Sequence, residues 1–132
     1  MILALKTADH ITSAWLFADA DVSEAVGHME WESGRSLSDQ LLARLAGFIE
    51  AHQLELASLT GLLIFSGPGS FTSLRIGHTT LNALADSLNI PVVGVGGEDW
   101  LKHGRQLLTQ AQSGRPALPE YGAPANITKP KS

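Results

Sequence analysis

The chain has no cysteine, which excludes disulfide bridges and metal sites built on thiolates. It also has no long apolar run. Nothing approaches the roughly 18 consecutive apolar residues of a membrane-spanning helix. The opening Met1-Ile2-Leu3-Ala4-Leu5-Lys6 is too short an apolar stretch for a signal peptide. A cytoplasmic protein with no membrane partner is therefore expected. Positive charge is scarce too: nine Lys and Arg face thirteen Asp and Glu, for a net charge of −4. A protein that grips RNA by itself carries a basic stripe that neutralises phosphates. Any RNA role is therefore expected to run through a partner. Hydrophobic residues make up 44% and charged residues 17% of 132, the balance of one globular domain large enough to bury a core.

What is present is a succession of strand and helix signals. Residues 2–5 read as a short buried strand and Thr7-Ala8-Asp9-His10 as a turn. Ile11–Phe17 is strand-like, Ala18-Asp19-Ala20-Asp21 is a second turn, and residues 22–31 form a third, more polar strand. Three strands joined by short turns predict an antiparallel meander. Ser36 or Ser38 can cap a helix running to about residue 52. Its Leu37, Leu41, Leu42, Leu45, Phe48 and Ile49, with His52, fall on one broad face. Next come the apolar strand Gly61–Phe65, a glycine-rich turn and a helix over Phe71–Leu88. An apolar run at 90–95, opened by Pro91, precedes a third helix at 98–111 that holds Trp100, Leu101, Leu107 and Leu108. The order βββαβαβα predicts an α/β domain: a mixed five-stranded sheet with helices packed on it. Residues 1–112 form that domain. Four of the six prolines lie in the last twenty residues, so 113–132 reads as an extended tail. No internal repeat is visible.

Between the fourth strand and the second helix lies Ser66-Gly67-Pro68-Gly69-Ser70-Phe71-Thr72-Ser73-Leu74-Arg75-Ile76-Gly77. Strand, glycine turn and helix often cradle a phosphate, yet the usual kit is missing. A P-loop needs a lysine after its second glycine, and none follows Gly67 and Gly69. The dinucleotide fingerprint fails because Thr72 stands where its third glycine belongs, and Gly94-Val95-Gly96-Gly97 fails with Asp99. The simpler reading is a sharp turn in which Ser70 or Thr72 caps the helix. Gly67, Gly69, Ser70 and Thr72 remain weak anion-site candidates through backbone N–H groups at the helix start. No cofactor is expected. A nucleophile elbow around Ser70 is excluded, because Pro68 and Thr72 occupy its glycine positions. His10, His28, His52, His78 and His103 never come within five residues of one another, so no helical metal pair forms. Each is expected at a surface or edge. The acid pairs Asp19/Asp21 and Glu30/Glu32 read as solvated. No catalytic residue and no metal ligand is expected.

The run GPGSFT at Gly67–Thr72, closed by Leu74-Arg75-Ile76-Gly77 and a helix, resembles the signature of the TsaB/YeaZ family. These are accessory subunits of the bacterial tRNA threonylcarbamoyladenosine synthase, within the actin-like, ribonuclease-H-like ATPase superfamily. The resemblance covers roughly residues 2–101 and implies the ribonuclease-H-like fold. It implies a non-catalytic scaffold that binds and activates the catalytic threonylcarbamoyl-transferase subunit (the TsaD/Gcp family). A P-loop ATPase of the TsaE family would join them, and tRNA would be reached only through the complex. For the chain alone it implies a homodimer through the same helices. Ser73 replaces the glycine usual before Leu-Arg-Ile-Gly. Lys6-Thr7-Ala8 stands where the family often reads Asp-Thr-Ser. A lysine cannot coordinate a cation, and Asp9 comes too late. Lys6 thus argues against the alternative, a degenerate nucleotide-binding phosphotransferase or ATPase of the superfamily, and is expected to reach solvent or a carboxylate. Family members usually have a second domain, so this chain is expected to be a minimal version. Its stretch 119–128 is similar to the family's C-terminal end.

Both long helices carry a second, narrower stripe. Ala43, Gly47 and Ala51 recur every fourth residue behind the first apolar face. Ile76, Thr80, Ala83 and Ser87 lie behind the broad face made by Leu74, Gly77, Leu81, Leu84, Ala85 and Leu88. A mid-helix glycine costs about 1 kcal/mol relative to alanine, and close approach of another helix is one reason to keep it. Pattern alone leaves a wet, alanine-rich surface as the other reading. In the resembling family these helices pack against their counterparts in the catalytic sister. The resemblance therefore implies a partner interface at Ala43, Gly47, Ala51, Ile76, Thr80 and Ala83.

Overall fold

The sheet is built outward from its first strand. In the computed structural model, which describes residues 1–119, β1 (Ile2–Lys6) is apolar at every position before Lys6 and buried on both sides. That is the signature of a central strand covered on two faces. β2 (Ile11–Phe17) pairs with it antiparallel, Ile2 opposite Phe17 and Lys6 opposite Ser13. β3 (Gly27–Glu32) pairs antiparallel with β2. On the other flank β4 (Gly61–Phe65) and β5 (Val92–Val95) run parallel to β1. The sheet order is β3-β2-β1-β4-β5. Parallel neighbours need crossover connections. α1 (Leu37–Ala51) leads into β4, α2 (Phe71–Leu88) joins β4 to β5, and α3 (Trp100–Leu108) follows β5. The mixed five-stranded sheet in βββαβαβα order is the one its sequence predicts.

The side-chain alternation of each strand divides the core in two. Leu3, Leu5, Leu16, Leu62 and Ile64 face α1 and α2, where Leu41, Leu45, Ile49 and Leu81 meet them. Ile2, Ala4, Phe17, Leu63 and Phe65 face the opposite way, toward Trp100 and Leu108 of α3. Each fully buried leucine contributes about 1.5–3 kcal/mol of transfer free energy, so the central strand is held from both sides.

Several expectations need correction. The third strand begins at Gly27 rather than at 22. Its ladder with β2 runs only from Gly27 to Glu32. Before it, side-chain acceptors compete for the backbone: Asp19 Oδ1 accepts from the Ala20 N–H at 2.6 Å. The first helix is preceded by a 3-10 turn at Gly34–Ser36, and Ser36 holds its N-cap position without a side-chain cap bond. Its hydroxyl donates instead to the Ser33 carbonyl at 2.7 Å. Leu42, expected on the buried face of that helix, is 54% exposed. The third helix is shorter than 98–111. It closes at Leu108, where Thr109 Oγ1 donates back to the Gln106 carbonyl at 2.7 Å. Of the apolar residues this helix holds, Trp100 and Leu108 are buried and Leu107 is exposed.

Of the expected tail, 120–132 lies outside the described residues, and 113–119 carries neither helix nor strand. It is nonetheless attached. Ala117 is buried, and its N–H and C=O pair with Asn82 Oδ1 and Nδ2 of α2 at 2.8 and 2.9 Å. Replacing Asn82 with alanine leaves both backbone groups unpaired, at roughly 1–3 kcal/mol. Asn82→Ala is therefore expected to speed hydrogen exchange at the Ala117 amide while circular dichroism stays unchanged. Equal exchange rates would show that the pairing does not hold the segment.

Candidate functional site

The glycine turn is shaped by two backbone demands. Gly67 has φ 126°, a region closed to side chains with a Cβ. Gly69 lies against the turn after β1: a Cβ there would stand 2.7 Å from Ala8 Cβ and 2.8 Å from the Ala8 carbonyl oxygen. The Ser70 N–H completes the contact by donating to that oxygen at 2.8 Å. Ser70 is the N-cap residue of α2, and its Oγ accepts from the Ser73 N–H at 3.4 Å. So the anion candidates resolve unevenly. Gly67 is buried, and Gly69, Ser70 and Thr72 are exposed. The amides of Ser70 and Ser73, which a phosphate cradle would use, are already occupied by protein oxygens.

Behind the turn lies a polar pair that motif reasoning overlooked. His78 is 3% exposed, against the expectation of a surface or edge histidine. Its Nδ1 lies 2.7 Å from the Leu74 carbonyl, so it carries the proton there. Nε2 is then an acceptor for the hydroxyl of buried Ser66 at 3.3 Å. A serine beside a histidine resembles a nucleophile and its base. Here the histidine is oriented by a backbone carbonyl, and both residues are sealed in the core. The signal was in the spacing: Leu74, His78, Leu81 and Ala85 share one helical face. Nearby, Thr7 Oγ1 is buried without a hydrogen-bond partner. It faces Gly77, whose missing side chain makes the room.

Lys6, at the end of β1, forms no ion pair among the described residues. Its Nζ sits 4.6 Å from the Phe65 ring centroid. That places a cation over an aromatic face at the C-terminal edge of the parallel strands, where α/β sheets bind ligands. Among the described residues no group of His, Asp and Glu could hold a metal ion, and no helix is long and apolar enough to cross a membrane.

The outer surface of α1 and α2 is the second candidate. The two helices pack side by side. Ala43, Gly47 and Ala51 are all exposed, and a Cβ on Gly47 would meet nothing within 4 Å. Ala83 is exposed as well, whereas Ile76 and Thr80 are half-buried. Those two line a groove of about 430 Å³ with Thr72, Arg75 and Thr79 of α2 and Ser38 of α1. The groove draws on the α2 stripe and leaves the α1 stripe outside. Motif reasoning missed the large apolar groups on this surface, Leu42 and Phe71, each 54% exposed.

Residues 31–117 match the TsaD family, described as tRNA N6-adenosine threonylcarbamoyltransferase. Proteins of Mycobacterium bovis and Mycobacterium tuberculosis, both described as uncharacterized, are 29% identical over 94 residues, covering 71% of this chain and 44% of theirs. The structure of YeaZ from Pseudomonas aeruginosa superposes with TM-score 0.64 at 25% identity, over 72% of this chain and 43% of that one. A second structure, of a protein with similarity to peptidase YeaZ from the same organism, matches equally over 42% of its length. The chain thus spans less than half the length of the relatives it matches.

The buried histidine makes stability depend on pH. Desolvation pushes its pKa below the ordinary 6.5, outweighing the hydrogen bond to Leu74 that raises it. The unfolded chain then takes up a proton, below about pH 6.5, that the folded chain refuses. Stability is full above that pH and falls as acid is added, by at most about 1.4 kcal/mol per pH unit. Urea midpoints between about pH 7.5 and 5 are expected to fall for the native chain and to stay flatter in His78→Gln. Parallel profiles would exclude His78 as the titrating group.

Proposed function

The chain belongs to the TsaD (tRNA N6-adenosine threonylcarbamoyltransferase) family in its YeaZ/TsaB-like form, and on that basis we propose that it is a non-catalytic subunit of tRNA threonylcarbamoyladenosine synthesis, binding and activating a TsaD-type transferase. The observation that carries this reading is the outer face of α1 and α2. Two neighbouring helices, already anchored to the sheet by their apolar faces, present Leu42 and Phe71, each 54% exposed, beside small residues. Exposed apolar surface of this kind marks association. Gly47 has open space above it, so a facing helix can approach the backbone closely.

The interface is assigned to Ala43, Gly47 and Ala51 of α1 and Ile76, Thr80 and Ala83 of α2, with Leu42 and Phe71 added as its large apolar groups. A homodimer forms through the same face when the transferase is absent. A TsaE-type ATPase and the tRNA join through the transferase, in the cytoplasm, since this chain's net charge of −4 gives it no electrostatic grip on phosphate. The chemistry is left to the partner. Lys6 at the end of β1 disfavours a metal-bound phosphate there, and the Ser66–His78 pair is closed off from substrate.

Mixing the chain with a TsaD-type transferase is expected to give a species heavier than either component by light scattering. Leu42→Glu, Gly47→Leu and Ala83→Glu change exposed positions and are expected to leave the melting curve intact. Each is expected to weaken the complex about tenfold, or about 1.4 kcal/mol. No complex, or three variants that bind as tightly as the parent, would remove this face as the interface. ATP turnover by the isolated chain would refute the non-catalytic role.

A further inference from the structure

The opposite side of the sheet holds a site that the proposed function does not use. There α3 packs on β4 and β5, and the segment 18–26 rises beside β2. Between them lies an open cleft of about 840 Å³, walled by Trp15 and Phe17 of β2, the 20–25 segment and one flank of α3.

Arg105 of α3 lines this cleft and is 7% exposed. Its guanidinium lies 4.1 Å from the Phe17 ring centroid. One terminal nitrogen, Nη1, donates to the Leu101 carbonyl at 3.1 Å. Nε is buried without a hydrogen-bond partner, and no ion pair among the described residues includes Arg105. Desolvation holds its pKa below the ordinary guanidinium value, with no counter-charge to offset it. Burying a cation without an anion is costly. A guanidinium is also a planar fork of donors whose natural complement is a carboxylate. The chain itself supplies no such group to Arg105 among its described residues.

The rest of the cleft narrows the choice of ligand. Asp21 and Glu24 on the segment before β3, with Glu98 and Asp99 just before α3, place four exposed carboxylates around the cleft, against one Lys102. That sign repels polyphosphates and nucleic acids and attracts an ammonium group. Half-buried Trp15 and Leu101 give an apolar wall. Trp15 is fixed by stacking on His28 at 4.9 Å and by its edge contact with Trp100 at 5.4 Å. A buried fork for a carboxylate, an acidic rim for an ammonium and an aromatic wall together describe a zwitterion with an apolar body.

We propose that the Arg105 end of this cleft binds a free α-amino acid with an apolar side chain, its carboxylate on Arg105, its ammonium at the acidic rim and its side chain against Trp15 and Leu101. The test is a titration of the whole chain followed by the indole N–H resonance of Trp15. L-phenylalanine and L-leucine are expected to shift it saturably. Phenylalaninamide, which lacks the carboxylate, and N-acetylphenylalanine, which lacks the ammonium, are expected to bind at least about tenfold more weakly, since each leaves a charged partner unmatched. Inorganic phosphate is expected to give no saturable shift. Arg105→Met is expected to abolish binding. Because that change also touches the packing on Phe17, Asp99→Asn at the exposed rim serves as the second variant, expected to weaken binding severalfold with an unchanged melting curve. No shift with either amino acid, equal binding of the amide, binding of phosphate at similar strength, or undiminished binding by both variants would each overturn the proposal.

Discussion

The contact between Gly69 and Ala8 is the constraint on which the arrangement depends. It joins the turn after β1 to the turn after β4, at the end of the sheet where two parallel strands release the chain. An added Cβ would fall 2.7 Å from Ala8 Cβ, and the Ser70 N–H is bound to the Ala8 carbonyl at 2.8 Å. This fixes where α2 starts. The start of α2 fixes the rotation of the helix, which puts Leu74, His78 and Leu81 inward and leaves Ile76, Thr80 and Ala83 toward the outer surface. The same contact engages the Ser70 amide, one of the donors that a phosphate cradle would use. It clamps the glycine turn against the loop after β1.

The parts of this fold that were legible in sequence are those that a single local rule determines. β1 and β4 are uninterrupted apolar runs, which only strands buried on both faces display. α2 is bounded by Ser70 at one end and by Asn89 in the left-handed conformation at the other, the ordinary stop signals of a helix. Where two local rules compete, the reading slipped. Val22 and Val26 favour a strand, but Asp19, Asp21 and Ser23 favour turns, and before Gly27 the pairing with β2 is reduced to the Val26 N–H donating to the Leu16 carbonyl at 2.7 Å. Leu42 is apolar and close to the buried arc of α1, yet the sheet and α2 cover only part of that arc. A histidine is expected at a surface or edge, although the spacing of His78 with Leu74 and Leu81 puts it in the core. There a carbonyl and a serine hydroxyl satisfy it.

The surface features follow a different logic. The stripe of Ala43, Gly47 and Ala51 could be found in sequence because one helix carries it whole. The α1–α2 groove could not, because it needs Ser38 and Ile76 to be brought together by packing. The cleft on the far face is less legible still. It takes residues from β2, from the 20–25 segment and from α3, three stretches with no shared motif. Arg105, read in sequence, is one more basic residue in the last turn of a short helix. Its significance arises only when the fold buries it against Phe17 with nothing anionic at hand.

The two faces of the sheet are therefore separate in their physics as well as in position. On the α1–α2 side the strands offer Leu3, Leu5, Leu62 and Ile64, and the helices above turn Leu42, Gly47, Phe71 and Ala83 outward among the charged Asp39, Arg44, Glu50 and Arg75. That surface is the one proposed to exclude water against another protein. On the α3 side a short helix of nine residues leaves β2 partly open, and the exposed chemistry is charged: a buried cation ringed by carboxylates. That surface favours a small ligand bearing both signs of charge over another helix, because a helix would strand the rim carboxylates away from water. β1, β2, β4 and β5 each send side chains into both cores, so the sheet itself is the partition between the two surfaces.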